Sequence, residues 1–488
     1  LGKEYIGRSK IETSFITFIL KTETTDKPHP NCAVIGVWGI PEASTIAYLG
    51  LCALQHRGQE AAGIVSSDGK HLFRHARMGL VADVFKRRDI LEGLPGKNAI
   101  GHNRYSTTGP SSGNNVQPLL VEDRIGPIAM SHNGNLVNYS ELRRFLEEEG
   151  SLFRTSSDSE LILQLVARSH AKTLAGRLME ALKVVHGAYS LALLTKDGLI
   201  AVRDPHGFRP LCIGRREGGW VIASESCALD LIGAEYLRDV NPGEMVLIND
   251  NEMRSIQFAP QERRRHCIFE FIYFSRPDSR VFGDNVDKTR RRLGHNLAKG
   301  HPIKDADIVI SVPDSANTAA LGFSHESGIT FEIALIRNHY IGRTFIEPEQ
   351  RMRDFGVKIK FNPVVGVLKG KSVVVVEDSI VRGTTLKKLV RHIRDAGARE
   401  VHVRVSSPPI INPCFYGMDF PTKDELKAAW SSVEEIREFT GADTLEYLSV
   451  KELLESVPHD NGQDYCTACF TGDYPIPINK EDDPVKFK

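Results

Sequence analysis

The chain lacks an excess of either charge: 62 Lys and Arg stand against 62 Asp and Glu in 488 residues. No global basic field exists to hold nucleic acid or an anionic membrane, so neither is expected as a partner. Long apolar runs are missing too. The longest early stretch, Phe15 to Leu20, is far short of the roughly 20 residues that span a bilayer. Cysteine is scarce, eight residues in all, which excludes a disulfide scaffold and leaves thiols for nucleophilic chemistry or metal ligation. Nor is this the composition of a disordered chain, with 41% hydrophobic and 25% charged residues. What the chain does have is length, enough for two or three domains of about 150 residues with well-buried cores.

Residues 1–31 mix Lys, Glu and Thr around the short apolar stretch and end in Lys27-Pro28-His29-Pro30-Asn31. They lack the apolar region and small-residue cleavage site of a secretory signal, and four acidic residues argue against a transit peptide. A leader without fixed structure, removed before Cys32, and a cytoplasmic protein are the expectations. Residues 32–39 (CAVIGVWG) then read as a buried strand with a thiol at its first position. Helical spacing over 43–56 stops at Arg57-Gly58. Strands are predicted at 61–66, 98–103, 126–131, 188–195, 198–203 and 219–224. Asn133-Gly134 reads as a tight turn. Ser157 and Glu160 have capping-box spacing, which puts Asp158 in a first helical turn. Strand-rich sequence with a few helices suggests layered sheets covered by helices.

Taken singly, these features are ordinary: a Cys at a strand start is usually a small buried hydrophobe. Their order is informative. Cys32, QHRGQEAAGI (55–64), GHNRYSTTG (101–109), SHNGNL (131–136) and SSDSE (156–160) together closely resemble the glutaminase domain of N-terminal-nucleophile amidotransferases. The resemblance implies an αββα sandwich over 32–262 with Cys32 as nucleophile. Its freed α-amine, with an ordinary pKa of about 7.7–8.0, would serve as base. Asn133 and Gly134 would stabilise the oxyanion. Arg104 matches a clamp for the glutamine carboxylate and Asp158 a partner for its ammonium, with Tyr105 and the Arg57-Gly58 turn shaping the pocket. Ala33 departs from the Gly common at that position, and a packing change is the expected consequence.

In the second half, residues 372–376 (SVVVV) read as a strand buried on both faces, as in a parallel sheet. Glu377-Asp378-Ser379-Ile380-Val381-Arg382-Gly383-Thr384-Thr385 leads into a helix ending at Gly397 and then the strand EVHVRV. This βαβ unit places a polar loop at the carboxyl end of its first strand, where open α/β sheets bind ligands. Small hydroxyl residues and Gly at a helix N-terminus suit a phosphate, and adjacent carboxylates suit a ribose diol and Mg²⁺-bound diphosphate. Gly366 to Ser372 imitates a P-loop, but it has three residues between its glycines and precedes its strand, so it reads as a turn.

The segment closely resembles the 5-phosphoribosyl-1-diphosphate (PRPP) motif of type I phosphoribosyltransferases. That implies Glu377 and Asp378 on the ribose hydroxyls and Mg²⁺, and Ser379 and Arg382 to Thr385 around the phosphate. Asp is frequent where this chain has Glu377; the carboxylate is retained. Ser315 matches a further Mg²⁺ position. The basic stretch 337–353 is similar to a loop that closes over PRPP, with Arg343 and Lys358 as diphosphate contacts.

Four of the cysteines, Cys267, Cys414, Cys466 and Cys469, lie far apart, and spacing alone leaves structural zinc, redox chemistry and an iron–sulfur cluster open. Residues 32–475 as a whole resemble the amidophosphoribosyltransferase family. The contexts of these four cysteines match its cluster-containing branch, which implies one [4Fe–4S] cluster and one Mg²⁺ per subunit. The implied domains are a leader (1–31), a glutaminase domain (32–262), a phosphoribosyltransferase domain (263–450) with a mainly parallel sheet, and a C-terminal segment (451–488) carrying two cluster cysteines. The implied activity is glutamine-dependent amination of PRPP, with ammonia passing along a dry route lined by Tyr273. Purine nucleotides as feedback inhibitors and a homotetramer follow from the same resemblance. A non-catalytic nucleotide-sensing relative, or a phosphoribosyltransferase with another acceptor, are the alternatives. The first would be expected to lose Cys32, Asn133 or the Glu377-Asp378 pair, and the second would ignore glutamine.

Overall fold

A computed structural model of the chain describes residues 32–105, 112–250, 252–260, 262–337, 361–418, 420, 422–458 and 463–478. The first part is built from two antiparallel sheets lying face to face. One has seven strands in the order Glu235–Asp239, Cys212–Arg216, Gly219–Ala223, Ala33–Trp38, Asn98–Arg104, Ala61–Ser67 and Leu72–Met78. The other has six, in the order Met253–Gln257, Glu244–Ile248, Leu199–Arg203, Gly187–Leu194, Gly126–Leu136 and Leu119–Asp123.

Alternation of side chains across each strand explains the layering. Val34 and Trp38 point between the sheets with Ile100, Ala192 and Ile222. Ala33, Ile35 and Val37 point outward onto helix Ala43–Ala53 and helix Ser226–Leu231. Helices Tyr139–Glu148, Asp158–Arg168 and Leu174–Leu182 cover the outer face of the second sheet over Met130, Leu191 and Val202. The arrangement is the expected αββα sandwich.

The second part holds a four-stranded parallel sheet, Ile308–Ser311, Ser372–Glu377, Glu400–Val405 and Thr444–Tyr447, in that spatial order. Its central valines show why four stand in a row. Val374 and Val376 face helices Val286–Gly300 and Asn317–Ser327, while Val373 and Val375 face helix Thr384–Asp395. Both faces are covered, so alternation gives no polar side. Helix Val450–Ser456 packs on helix Val286–Gly300, so the expected division after residue 450 falls inside a helix that belongs to this layer.

Two local expectations change. The Asn133-Gly134 pair is not a turn: strand Gly126–Leu136 runs straight through it, with Asn133 opposite Ser190 and Gly134 opposite Tyr189. Gly134 holds a φ of 153°, and a Cβ there would lie 1.9 Å from the Ala188 carbonyl oxygen. Glycine is needed for close approach within a sheet, which the dipeptide alone does not distinguish from a turn. The capping box at Ser157 is also only half made. Ser157 accepts from the Ser159 N–H, but Glu160 turns away to accept from the N–H groups of Arg154 and Thr155.

Candidate active sites

Cys32 lies just before the central strand of the first sheet. Ala33 pairs with Asn103, so the thiol is brought beside Arg104 and Tyr105. It is buried and donates to the Tyr105 carbonyl at 3.3 Å. Burial pushes the thiol pKa up, opposed first by the Arg104 guanidinium, with Asp158 and Glu60 adding to the rise. A thiol in this state needs a base before it can attack.

The strand facing Cys32 from the second sheet carries Asn133 and Gly134. Asn133 is fully buried, and both its amide nitrogen and its amide oxygen have no hydrogen-bond partner among the described residues. Each such group costs about 1–3 kcal/mol when left unmade, so a buried amide of this kind signals a ligand. Asp158 begins helix Asp158–Arg168 and accepts from the Leu136 N–H at 3.1 Å. Burial raises its pKa, but His132, that N–H and Arg104 together hold it below the usual carboxylate range. Arg104, also buried, donates to the Asn115 carbonyl at 3.0 Å. Arg104 and Asp158 thus both act electrostatically on the Cys32 thiol, and the unpartnered Asn133 amide lies on a strand of the facing sheet.

Arg57 departs from the expected place at the glutamine. Its guanidinium binds Glu270 twice, at 2.9 and 2.6 Å, and also Glu225, while its Nε reaches back to the Cys32 carbonyl at 3.4 Å. It braces the Cys32 backbone from behind. Gly58 packs against the strand end that carries Arg104: a Cβ there would lie 2.7 Å from the Asn103 carbonyl carbon. Glu225, Glu270 and Arg209 form the rest of this buried charge cluster, and motif reading did not single them out. A signal was available: Glu270 is the one carboxylate in the apolar run CIFEFIYF.

In the second part, Glu377 closes strand Ser372–Glu377 and is buried together with Asp378 and Ser379. Ser315 donates its hydroxyl to Asp378, as does Ser379 at 2.6 Å. The Mg²⁺ position expected at Ser315 and the acidic pair are therefore brought together, and their hard oxygen donors suit that ion. Gly383 precedes helix Thr384–Asp395 with φ 75°, so Thr384 and Thr385 supply its first N–H groups, an anion-binding arrangement. Arg382 is partnered by Glu425 at 3.1 and 2.9 Å. Arg343 and Lys358 lie outside the described residues. Tyr273 is half-buried on a π-helical turn, Glu270–Phe274, which joins the two parts of the chain.

The four distant cysteines meet. Cys267 and Cys466 are register partners in a two-residue parallel pair, and all four thiols line one apolar pocket with Phe208, Tyr416 and Met418. No disulfide joins them. Burial pushes Cys267 up to about 12 and raises Cys466 and Cys469 too. Thiolates here would need a cation to be stable, and the donor set suits a thiophilic metal centre. Among the described residues, no group of three or more His, Cys, Asp or Glu is drawn close enough to form a ready-made ion cage. No helix among them is long and apolar enough to cross a membrane.

Comparisons with known proteins agree with this layout. Residues 102–231 match a glutamine amidotransferase domain and residues 294–407 a phosphoribosyl transferase domain. The chain is 53% identical to amidophosphoribosyltransferase 1, chloroplastic, of Arabidopsis thaliana, over 93% of this chain and 80% of that protein. It is 49% identical to amidophosphoribosyltransferase of Bacillus subtilis (strain 168), over 92% and 95%. Among solved structures, the glutamine PRPP amidotransferase of B. subtilis complexed with ADP and GMP superposes with a TM-score of 0.88 at 49% identity, covering 92% of this chain and 98% of that one. A structure described as the allosteric regulatory enzyme of purine biosynthesis gives 0.89 at 48%, covering 93% and 98%. With about half of its residues shared along nearly its whole length, the chain belongs to the amidophosphoribosyltransferases, the glutamine amidotransferase enzymes of the first step of purine biosynthesis.

Proposed function

We propose that Cys32 performs the glutaminase half of this reaction, glutamine + PRPP + water → 5-phosphoribosylamine + glutamate + diphosphate. The observation that carries the assignment is the buried Asn133 amide, unpartnered on the strand facing the thiol. Cys32 attacks the glutamine side-chain amide, and its sulfur forms a thioester as ammonia leaves. Asn133 and the Gly134 N–H receive the oxyanion. Arg104 binds the substrate carboxylate and Asp158 its ammonium. Removal of residues 1–31 frees the α-amine of Cys32 as the base, since a peptide nitrogen cannot take the thiol proton. Replacing Cys32 by Ala should abolish glutamine-dependent synthesis of phosphoribosylamine while free ammonia still supports it. Retained glutamine use would reject the assignment.

At the second site, Glu377 and Asp378 hold the ribose hydroxyls. Backbone and hydroxyl groups of Ser379 and Gly383 to Thr385 hold the 5-phosphate. Ser315, Glu377 and Asp378 would hold one Mg²⁺, which supplies charge neutralisation for the departing diphosphate. Arg343 and Lys358 are assigned to that diphosphate. Cys267, Cys414, Cys466 and Cys469 would ligate a [4Fe–4S] cluster whose contribution is structural, tying 466–469 to both parts of the chain. Stoichiometric zinc without iron in the purified protein would reject it. Tyr273 is assigned to the ammonia route. The B. subtilis relative was solved with ADP and GMP, and purine nucleotides are carried across as feedback inhibitors. A homotetramer, checked by light scattering, and a cytoplasmic location, checked by microscopy of a tagged chain, complete the reading. So do the divisions at 31/32 and 262/263.

A further inference from the structure

A continuous circuit of buried contacts leads from the nucleophile to the oxyanion donor, and most of it lies outside both active sites. It starts at the Cys32 carbonyl, which accepts from Arg57 Nε at 3.4 Å. Arg57 passes to Glu270 through its two terminal nitrogens. Glu270 Oε1 accepts from Arg209 at 3.2 Å, and the other arm of Arg209 donates to the Gly417 carbonyl, also at 3.2 Å. Gly417 lies flat on Gly134, so close that a Cβ on it would be 3.0 Å from the Gly134 carbonyl carbon. Beside that contact, Asn135 donates its amide to the Phe415 carbonyl at 3.0 Å. Arg57, Glu270 and Arg209 are each no more than 1% exposed.

Glu270 is the member of the circuit that both arms share. It belongs to neither sheet of the sandwich. It sits on the π-helical turn Glu270–Phe274, which also carries Tyr273 and is held from the phosphoribosyltransferase side. Arg290, on helix Val286–Gly300, donates to the Phe271 carbonyl at 2.7 Å and the Ser275 carbonyl at 2.8 Å. The Ser275 hydroxyl adds a fourth donor to the Glu270 carboxylate at 2.6 Å. A buried carboxylate with this many charged donors fixes direction as well as charge.

We propose that Glu270 is a positioning residue that sets the Cys32 backbone and the Gly134 oxyanion donor at their mutual spacing. The glutaminase pocket is then completed only when the turn from the second part of the chain is docked. The proposal rests on Cys32 being the nucleophile. Its chemical logic is that tetrahedral intermediates are stabilised only when donor and attacking atom are held to within a fraction of an ångström, so a shifted strand loses rate and not binding.

The test uses the processed holoenzyme, beginning at residue 32, with Glu270→Gln, Arg209→Lys and, as control, Cys32→Ala. Glutamine-dependent and ammonia-dependent synthesis are measured on each, with kcat and KM for glutamine. For Glu270→Gln the glutamine-dependent kcat should fall about tenfold or more, with the glutamine KM and the ammonia-dependent rate within about twofold of the parent. Arg209→Lys keeps the charge but cannot span Glu270 and Gly417 together, so it should show the same split; it decides the matter if Glu270→Gln does not fold. An unchanged glutamine rate in a folded variant overturns the proposal. So does an equal fall in both rates, which marks general loosening. Survival of glutamine use in Cys32→Ala would overturn the nucleophile assignment instead, whatever the Glu270 variant does.

Discussion

The glutaminase pocket buries charges of opposite sign together, Arg104 with Asp158, whereas the ribosyl loop buries two acids in sequence, Glu377 and Asp378. The first site is built from strands of facing sheets and is enclosed. The second is a loop above a parallel sheet, with Arg382 and Ser315 half-buried and Thr384 exposed. The contrast follows from the ligands. A zwitterionic amino acid with no net charge can be matched by one protein cation and one protein anion. A sugar carrying a phosphate and a diphosphate needs N–H groups, hydroxyls and a metal ion, and it needs room to enter.

Removing one polar group should therefore have different reach in the two sites. Asp378→Asn is expected to produce the largest loss, about 10³-fold in phosphoribosylamine formation. It should do so with glutamine and with ammonia alike, because both routes end at the ribose carbon. A loss confined to glutamine would break the comparison. Asn133→Ala should cost about 10²–10³ in glutamine-dependent kcat, the usual value of one oxyanion donor. The ammonia-dependent rate should not change. Steady-state assays with each nitrogen source measure both.

A pH experiment sharpens the difference in enclosure. His102 lies between the sheets, donating its Nε2–H to the His132 carbonyl at 2.9 Å, and burial lowers its pKa to about 3. It is neutral in the folded protein near pH 7. The folded pKa is below the unfolded value of about 6.5, so the folded state is favoured fully above pH 6.5 and loses that advantage as pH falls toward 3. Each pH unit below 6.5 removes about 1.4 kcal/mol. Denaturant titrations at pH 7 and pH 5 should thus show about 2 kcal/mol more acid loss in the parent than in His102→Gln.

The ribosyl loop was legible because its chemistry is local in sequence. The acidic pair and its hydroxyl-rich loop lie within nine residues, 377–385, and the Val run ahead of them fixes the parallel strand. The strands at 61–66 and 98–103 were readable from apolar content to within a residue or so of the observed ends. Strand Leu72–Met78 was not, because it is the edge of its sheet and alternates Arg and His with its apolar residues. The Arg57–Glu270 bridge was also hidden. Its partners are separated by 213 residues, and nothing in either segment indicates which carboxylate an arginine will find. Gly134 misled for a physical reason: the same freedom that makes a turn also lets a strand press against a neighbouring carbonyl.

The smallest expected effects come from paired glycine substitutions, one per site. Gly58→Ala fails by contact: its Cβ would fall 2.7 and 2.8 Å from the Asn103 carbonyl atoms and 2.9 Å from the Arg104 carbonyl carbon. The strand end that carries Arg104 must move. The glutamine KM should rise about tenfold, because an alignment with the substrate carboxylate is lost before any chemistry. Gly383→Ala meets nothing closer than the Phe439 ring at 3.4 Å, so its cost is the left-handed backbone alone. That strain is about 1 kcal/mol, part of which falls on folding and not on PRPP binding. Its PRPP KM should rise only about two- to threefold, roughly a quarter of the effect on the enclosed site. Equal shifts in the two variants would show that the ribosyl loop is as rigid as the sandwich, and that enclosure is not what separates them.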